Sequence, residues 1–261
     1  MCPACKKLIQ GSGGWLQSAN LCCHCLAIET QDGLVLVDTG FGVQDIIKPQ
    51  QLGLSFRAIA QPQLKLEETA IYQLDKLGFK RHDVKHIALT HLDLDHAGGL
   101  SDFPGANVHV HYKEIDAALA PQDWRARHRY RSHQFDHQPR WQNVEDSDET
   151  WFGFDNVKRL KGVVEDILLI PLAGHTEGHC GIAVKQKNNK WLFHVGDLYM
   201  DQRSLLNRQP KAIRNIENML AKDNRQRLKN VLKVRQMLEQ HADKVEVFCA
   251  HDMSELERYT L

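Results

Sequence analysis

Residues 84–90 form a short run rich in β-branched and apolar side chains. They pass directly into His91-Leu92-Asp93-Leu94-Asp95-His96-Ala97-Gly98-Gly99. Four side chains able to ligate a metal, those of His91, Asp93, Asp95 and His96, therefore fall within six positions. They follow a predicted strand, at the end where α/β proteins usually gather their functional groups. Extended backbone through 91–95 would point residues 91, 93 and 95 the same way and turn His96 toward a neighbouring ion. Ala97, Gly98 and Gly99 are small enough to let the backbone approach closely. Three later apolar runs also end in a ligand: Leu172-Ala173-Gly174-His175, Val195-Gly196-Asp197 and Cys249-Ala250-His251. Seven such residues suffice for two adjacent metals sharing a bridging carboxylate.

The remaining pattern is that of an α/β layered protein. Residues 25–30 and 34–37 read as strands joined by Gln31-Asp32-Gly33, and Asp-Gly is a hairpin signal. A turn follows at Asp38-Thr39-Gly40. Residues 67–78 predict an amphipathic helix with Ala70, Ile71, Leu74 and Leu77 on one face and Gly78 at its C-terminal end. Strands are expected at 107–111, 166–172, 181–186, 190–195 and 245–249, and helix at 113–119 and over most of 211–242. In that last segment Leu228, Val231, Leu232, Arg235 and Leu238 form a stripe. Residues 121–155 lack clean periodicity and read as a long insertion over a surface or a site. Strands alternate with helices throughout, which points to α/β layers. A length of 261 residues fits one domain, 1–261, with a Cys-rich N-terminal segment over 1–25.

At this point the chain resembles the metallo-β-lactamase superfamily. Residues 90–99 match the form of its H-x-H-x-D-H signature. Leu36-Val37-Asp38-Thr39-Gly40, Gly174-His175-Thr176-Glu177-Gly178-His179, Val195-Gly196-Asp197 and His251-Asp252 follow in the family's order. The resemblance covers about residues 24–252 and is closest to the lactonase-like hydrolases. It implies an αββα four-layer sandwich of two mixed sheets flanked by helices, with two zinc ions at one edge. It assigns His91 and His175 to one metal, Asp95, His96 and His251 to the other, and Asp197 to the bridge. Asp38 and His179 would orient the ligands from behind. A hydroxide bridging the metals would attack a small ester, lactone or thioester. Asp95 would orient it and pass a proton to the leaving group. Tyr199 is a candidate to aid the oxyanion.

One position departs from the pattern. Asp93 stands where the signature has its second His. Bound as a ligand, it adds negative charge, lowers the pKa of bound water less, and shifts preference toward Mn or Fe(II). A related branch, the flavodiiron reductases, carries a carboxylate here and holds iron. A diiron redox protein and a phosphodiesterase or nuclease of the same superfamily are therefore the alternatives.

Cys2, Cys5, Cys22 and Cys25 are spaced C-x2-C-x16-C-x2-C. The spacing suits a structural zinc, and the alternative is a set of small buried residues leading into the first hairpin. Cys23 and Cys180 would be spare. The missing apolar leader and the 7 Cys, an odd number, favour reduced thiols and a cytoplasmic protein. Residues 124–141 concentrate Arg125, Arg127, Arg129, Arg131 and Arg140 among aromatic residues. Overhanging the metals, Arg129 and Arg131 could hold a substrate carboxylate or phosphate and offset the charge of Asp93. Lys+Arg and Asp+Glu both number 33, which argues against a nucleic-acid partner. No apolar run approaches the ~18 residues a bilayer requires. The expected partner is a small-molecule substrate, and a homodimer is compatible with the sequence.

Overall fold

Leu34-Val35-Leu36-Val37 is apolar at every position because its strand is covered on both faces. Leu34 and Leu36 pack outward with Ile87, Val108 and Ile115, whereas Val35 and Val37 pack inward with Ala88, Leu169 and Ile182. The same two-residue period governs 167–170. Ile167 and Leu169 face inward, and Leu168 and Ile170 face out onto Val231, Val234 and Met237. These faces define four layers in the computed structural model, which describes residues 1–259.

One sheet has the order β1 (Leu26–Thr30), β2 (Gly33–Val37), β3 (Val84–Ala88), β4 (Asn107–His111), β5 (Arg140–Val144). Strand β1 runs antiparallel to β2, and the remaining pairs are parallel. The facing sheet has the order β10 (Val245–Phe248), β9 (Trp191–His194), β8 (Cys180–Lys185), β7 (Ile167–Pro171), β6 (Lys158–Arg159). Here β10 and β9 are parallel and the other pairs antiparallel. Both sheets are therefore mixed, as the αββα expectation requires. Helices Ala70–Lys76 and Tyr112–Leu119 cover the first sheet, and Asn224–His241 covers the second.

Several local expectations are corrected. Residues 121–155 are not wholly irregular: they contain helix Trp124–Arg129 and β5, whose pattern of mostly exposed residues marks an edge strand with little apolar alternation. Helix 211–242 is two helices, Lys211–Leu220 and Asn224–His241. The buried face of the second is Arg227, Asn230, Val231, Val234 and Met237, while Leu228 and Leu232 are 47% and 49% exposed. The stripe was displaced because two polar residues on the buried face bind loop carbonyls. Arg227 Nη1 donates to Leu198 O at 2.8 Å, and Asn230 Nδ2 donates to Ala173 O at 2.8 Å. Leu77 is exposed at the C-cap of helix Ala70–Lys76, and Gly78 follows at φ 90°.

A candidate metal centre at the sheet edge

Strands β2 and β3 run parallel in one sheet, as β7, β9 and β10 do in the other, so their carboxyl ends meet along one edge. A bond from Cys180 N to Thr90 O (2.8 Å) ties the two sheets there. The loop after β3 does not stay extended through 95. Asp93 is the N-cap of a short helix, Leu94–Ala97, which carries Asp95 and His96 round toward a second position. Alternation along a strand therefore does not explain how these ligands are shared out. The helical turn does.

Three overlapping groups of ligand atoms result. His91, Asp93, His175 and Asp197 form the first, His96, Asp197 and His251 the second, and Cys23, Asp95 and His251 the third. In the first, His175 Nε2 lies 3.1 Å from Asp93 Oδ2 and 3.5 Å from Asp197 Oδ2, and His91 Nε2 lies 3.4 Å from Asp93 Oδ2. In the second, His96 Nε2 and His251 Nε2 lie 3.2 and 3.0 Å from Asp197 Oδ1. Asp95 Oδ2 is 3.6 Å from His251 Nε2. The Asp197 carboxylate thus belongs to the first two groups, with Oδ1 toward His96 and Oδ2 toward His175, while His251 Nε2 lies 3.0 Å from Oδ1 and 3.2 Å from Oδ2.

Four of these residues, His91, His96, Asp197 and His251, are held from behind. His96 Nδ1 is 2.8 Å from Asp38 Oδ2, and Asp38 also accepts from Thr90 N and Thr90 Oγ1, both at 2.8 Å. Asp38 takes φ 55° to reach them, a conformation that Asp tolerates better than most residues. Thr90 Oγ1 lies 3.0 Å from His91 Nδ1, and His251 Nδ1 lies 2.7 Å from Cys22 O. His179 enters none of the groups. Its Nδ1 donates to Leu172 O, so its Nε2 accepts from Asp197 N at 3.0 Å and fixes the shared carboxylate. His175 is placed by Gly174 at φ 139°, where an added Cβ would lie 2.3 Å from Arg227 N.

The electrostatics favour a cation. Burial pushes the Asp93 carboxyl up, yet Arg129, then His91 and His175, hold it well below the usual range. Asp197 is likewise held down by His251 and His96 against its burial. Burial, followed by the Arg129 charge, lowers His175 to about 4, leaving it neutral as a ligand must be. His96 is pushed up by Asp197, Asp38 and Asp95 despite burial, so the carboxylates draw positive charge to this point. His91 Nε2, His96 Nε2 and Asp197 Oδ1 are buried without a hydrogen-bond partner, and Asp93 Oδ1 meets the Arg129 guanidinium as an ion pair. Buried polar atoms are rarely left so. Four His and three Asp converging around these atoms fit divalent metal ions.

A cavity of about 410 Å³ opens above Asp93, Asp95, Asp197 and His251. Its walls are mainly apolar and include Ile9, Leu21, Phe56, Ile213 and Leu220. Arg131 lines it, as does Arg129. The Arg129 guanidinium is already occupied, however. Nε lies 3.2 Å from Asp93 Oδ1, Nη1 donates to His175 O and Nη2 to Leu220 O. It offsets the charge of Asp93 as expected but is not free to hold a substrate anion. Tyr199 is corrected outright. It is fully buried, lies away from the cavity, and donates its hydroxyl to Glu255 Oε1 at 3.2 Å. The strand-end turn rotates it into the core beneath the second sheet.

The four sulfurs of Cys2, Cys5, Cys22 and Cys25 form no metal-type group among the described residues. Cys2 Sγ approaches Asn20 Oδ1, Cys22 Sγ approaches Ala250 O, and Cys25 Sγ approaches Cys23 O. The spacing arises from residues that pack separately. Sequence reasoning missed two supports. Thr90 could have been noticed as a hydroxyl beside His91. Glu114, fully buried, accepts from Leu92 N, Gly178 N and the Tyr130 hydroxyl at 3.0–3.1 Å, and so pins the two ligand loops together. Nothing local in the sequence marks it.

The family model of the metallo-beta-lactamase superfamily matches residues 22–198. The chain belongs to that superfamily. A probable metallo-hydrolase of Mycobacterium tuberculosis is 39% identical over 234 residues, covering 89% of this chain and 75% of the relative. An N-acyl homoserine lactonase of Bacillus thuringiensis is 24% identical over 241 residues, 90% of this chain and 83% of that one. Among solved structures, an N-acyl homoserine lactone hydrolase with N-hexanoyl-L-homoserine bound at its catalytic metal center superposes with a TM-score of 0.72. It is 20% identical, over all of this chain and 92% of that one, and so establishes the fold. The curated relatives are named as metallo-hydrolases and lactonases, and they support hydrolase activity for this chain. No helix of the described residues is long and apolar enough to cross a membrane.

Proposed function

We propose that this protein is a binuclear hydrolase of small esters, lactones or thioesters. His91, Asp93, His175 and Asp197 would hold one divalent ion, and Asp95, His96, Asp197 and His251 the other. Zinc is the expected metal. The observation that carries the reading is Asp197, whose carboxylate lies between His175 on the Oδ2 side and His96 on the Oδ1 side, with His251 within reach of both oxygens.

Such ions supply Lewis acidity and bring the pKa of a water near 7. The chain's own residues supply the rest. Asp95 lines the cavity with its side chain only 10% exposed, placed to take a proton and return it to the leaving oxygen. Arg129 neutralises the carboxylate that replaces a neutral imidazole. His179 and Asp38 keep Asp197 and His96 from rotating. The apolar walls accept a hydrocarbon part of the substrate and exclude water around the reacting carbonyl.

Metal content per chain, paired with a panel of lactones, thioesters and phosphodiesters, tests this. Two zincs and lactone or thioester turnover support the reading. One metal per fully loaded chain sinks the binuclear centre, and turnover of phosphodiesters alone sinks the substrate class. Asp93 supports a second reading, a diiron redox centre, since an added carboxylate favours harder metals. Stoichiometric iron with a visible colour and no hydrolysis across the panel would select it.

A further inference from the structure

Cys23 lies beside the second ligand group, in a third group that it forms with Asp95 and His251. The segment 22–25 runs along the end of β10, with His24 N donating to Ala250 O and Cys22 O facing His251 Nδ1. These tethers bring Cys23 Sγ to 3.9 Å from Asp95 Oδ2, which is itself 3.6 Å from His251 Nε2. The three ligand atoms lie within 4.8 Å of one another. Around a tetrahedral zinc, with bonds of about 2.3 Å to sulfur and about 2.1 Å to oxygen and nitrogen, the corresponding separations are about 3.6 and about 3.4 Å. A small contraction onto a cation closes the difference.

A second observation points to a ligand here. His96 Nε2 and Asp197 Oδ1 are buried, have no hydrogen-bond partner, and sit beside the same His251 nitrogen. His96 is 1% and Asp197 5% exposed. The cluster thus presents buried ligand-type atoms that no hydrogen bond satisfies.

We propose that Cys23 is a further ligand of the cation held by Asp95 and His251. The inference rests on the metal-centre reading above. Binding replaces the S–H bond with a sulfur–metal bond, and the proton leaves to solvent. The two positions then differ in kind. The one at Asp93 is rich in oxygen, and the one at Cys23 carries sulfur. A thiolate favours Zn, Co(II) or Fe(II) over Mn or Mg at that position.

Cobalt reports both questions separately. The full chain is stripped with a chelator and titrated with Co(II). Visible d–d bands report occupancy of the centre, and a near-ultraviolet thiolate-to-cobalt charge-transfer band reports sulfur ligation. The expected result is a charge-transfer band in wild type that is lost in C23S while the visible bands remain. Visible bands without a charge-transfer band in wild type overturn the Cys23 ligand and leave the metal centre standing. A charge-transfer band that survives in C23S overturns it too, assigning the sulfur to Cys22 or Cys25. Absence of all bands overturns the metal-centre reading and this inference with it. Should C23S not fold, retention of the wild-type band in both C22S and C25S supports Cys23, and its loss in either overturns it.

Discussion

Arg129 and Asp93 form an ion pair that divides the carboxylate. Arg129 Nε lies 3.2 Å from Oδ1, and Oδ2 is left facing His175 Nε2 at 3.1 Å. The side chains are 16% and 17% exposed, so the pair is largely shielded from solvent. An aspartate replaces the usual imidazole of the signature, and an arginine from a neighbouring helix stands against the charge it brings.

The pair predicts an unequal set of variants. Asp93→His leaves the Arg129 guanidinium beside an imidazole, with no anion at Oδ1. Removing one partner of a buried pair costs about 3 kcal/mol at the low end, and thermal denaturation should show the loss. Arg129→Gln, added to Asp93→His, should restore part of it. Arg129→Gln alone should keep its metal and lose about ten- to a hundredfold in kcat/KM. Loss of metal in that variant would show that the arginine's role is to position the ligand loop.

Glu114 should matter more than its distance from the cavity suggests. Glu114→Ala leaves the Leu92 and Gly178 amides and the Tyr130 hydroxyl without their acceptor. Each buried group left unpaired costs about 1–3 kcal/mol. The variant should melt well below wild type and retain less metal after dialysis, because both ligand loops lose their common anchor. Glu114→Gln, which keeps one acceptor oxygen, should be milder on both measures.

Tyr199→Phe separates packing from catalysis. The hydroxyl serves Glu255, and Glu255 also accepts from Cys249 N at 2.7 Å. Loss of the hydroxyl should cost about 1 kcal/mol of stability. The kcat/KM should stay within about twofold of wild type. A drop of about a hundredfold, equivalent to some 2.7 kcal/mol of transition-state binding, would return Tyr199 to the reaction.

Acid should destabilise the fold through His109. Burial, then the neighbouring His86 charge, lowers His109 to about 4, and its Nε2 lies 2.8 Å from His86 Nδ1. The unfolded chain therefore binds more protons than the folded one between about pH 6.5 and 4. Stability is fully present above that window and falls as pH falls through it, by about 2 kcal/mol from this group by pH 5. Asp45 and Asp102, both raised to about 6 by burial, act with the opposite sign over the lower part of the window. The decisive comparison is therefore a difference. Between pH 7 and 5, His109→Gln should lose less of its melting temperature than wild type does. Equal losses would show that His109 keeps an ordinary pKa.

Much of the candidate ligand set was legible because it is local. His91, Asp93, Asp95 and His96 are adjacent in sequence, and His175, Asp197 and His251 each terminate an apolar run. The strands were legible for a related reason, since side chains that alternate between two covered faces leave continuous apolar runs. The supports were not legible. Arg227 and Asn230 occupy the buried face of a helix because loop carbonyls meet them there, and hydrophobic periodicity does not register a polar residue satisfied by a distant loop. Tyr199 read as a neighbour of Asp197 by number and faces the other way in space.

The sequence by itself determined the α/β class, the edge at which strand ends gather, and the residues available there, because each follows from short-range pattern. The tertiary structure alone decided how those residues are shared. A helical turn after Asp93 carries Asp95 and His96 away from the group that holds His91. Residues far apart in sequence then complete the site: Arg129 against Asp93, Glu114 beneath both ligand loops, and Cys23 beside Asp95. The physical reason is that charge compensation and hydrogen-bond satisfaction act over a few ångströms in space, at whatever separation along the chain the fold provides.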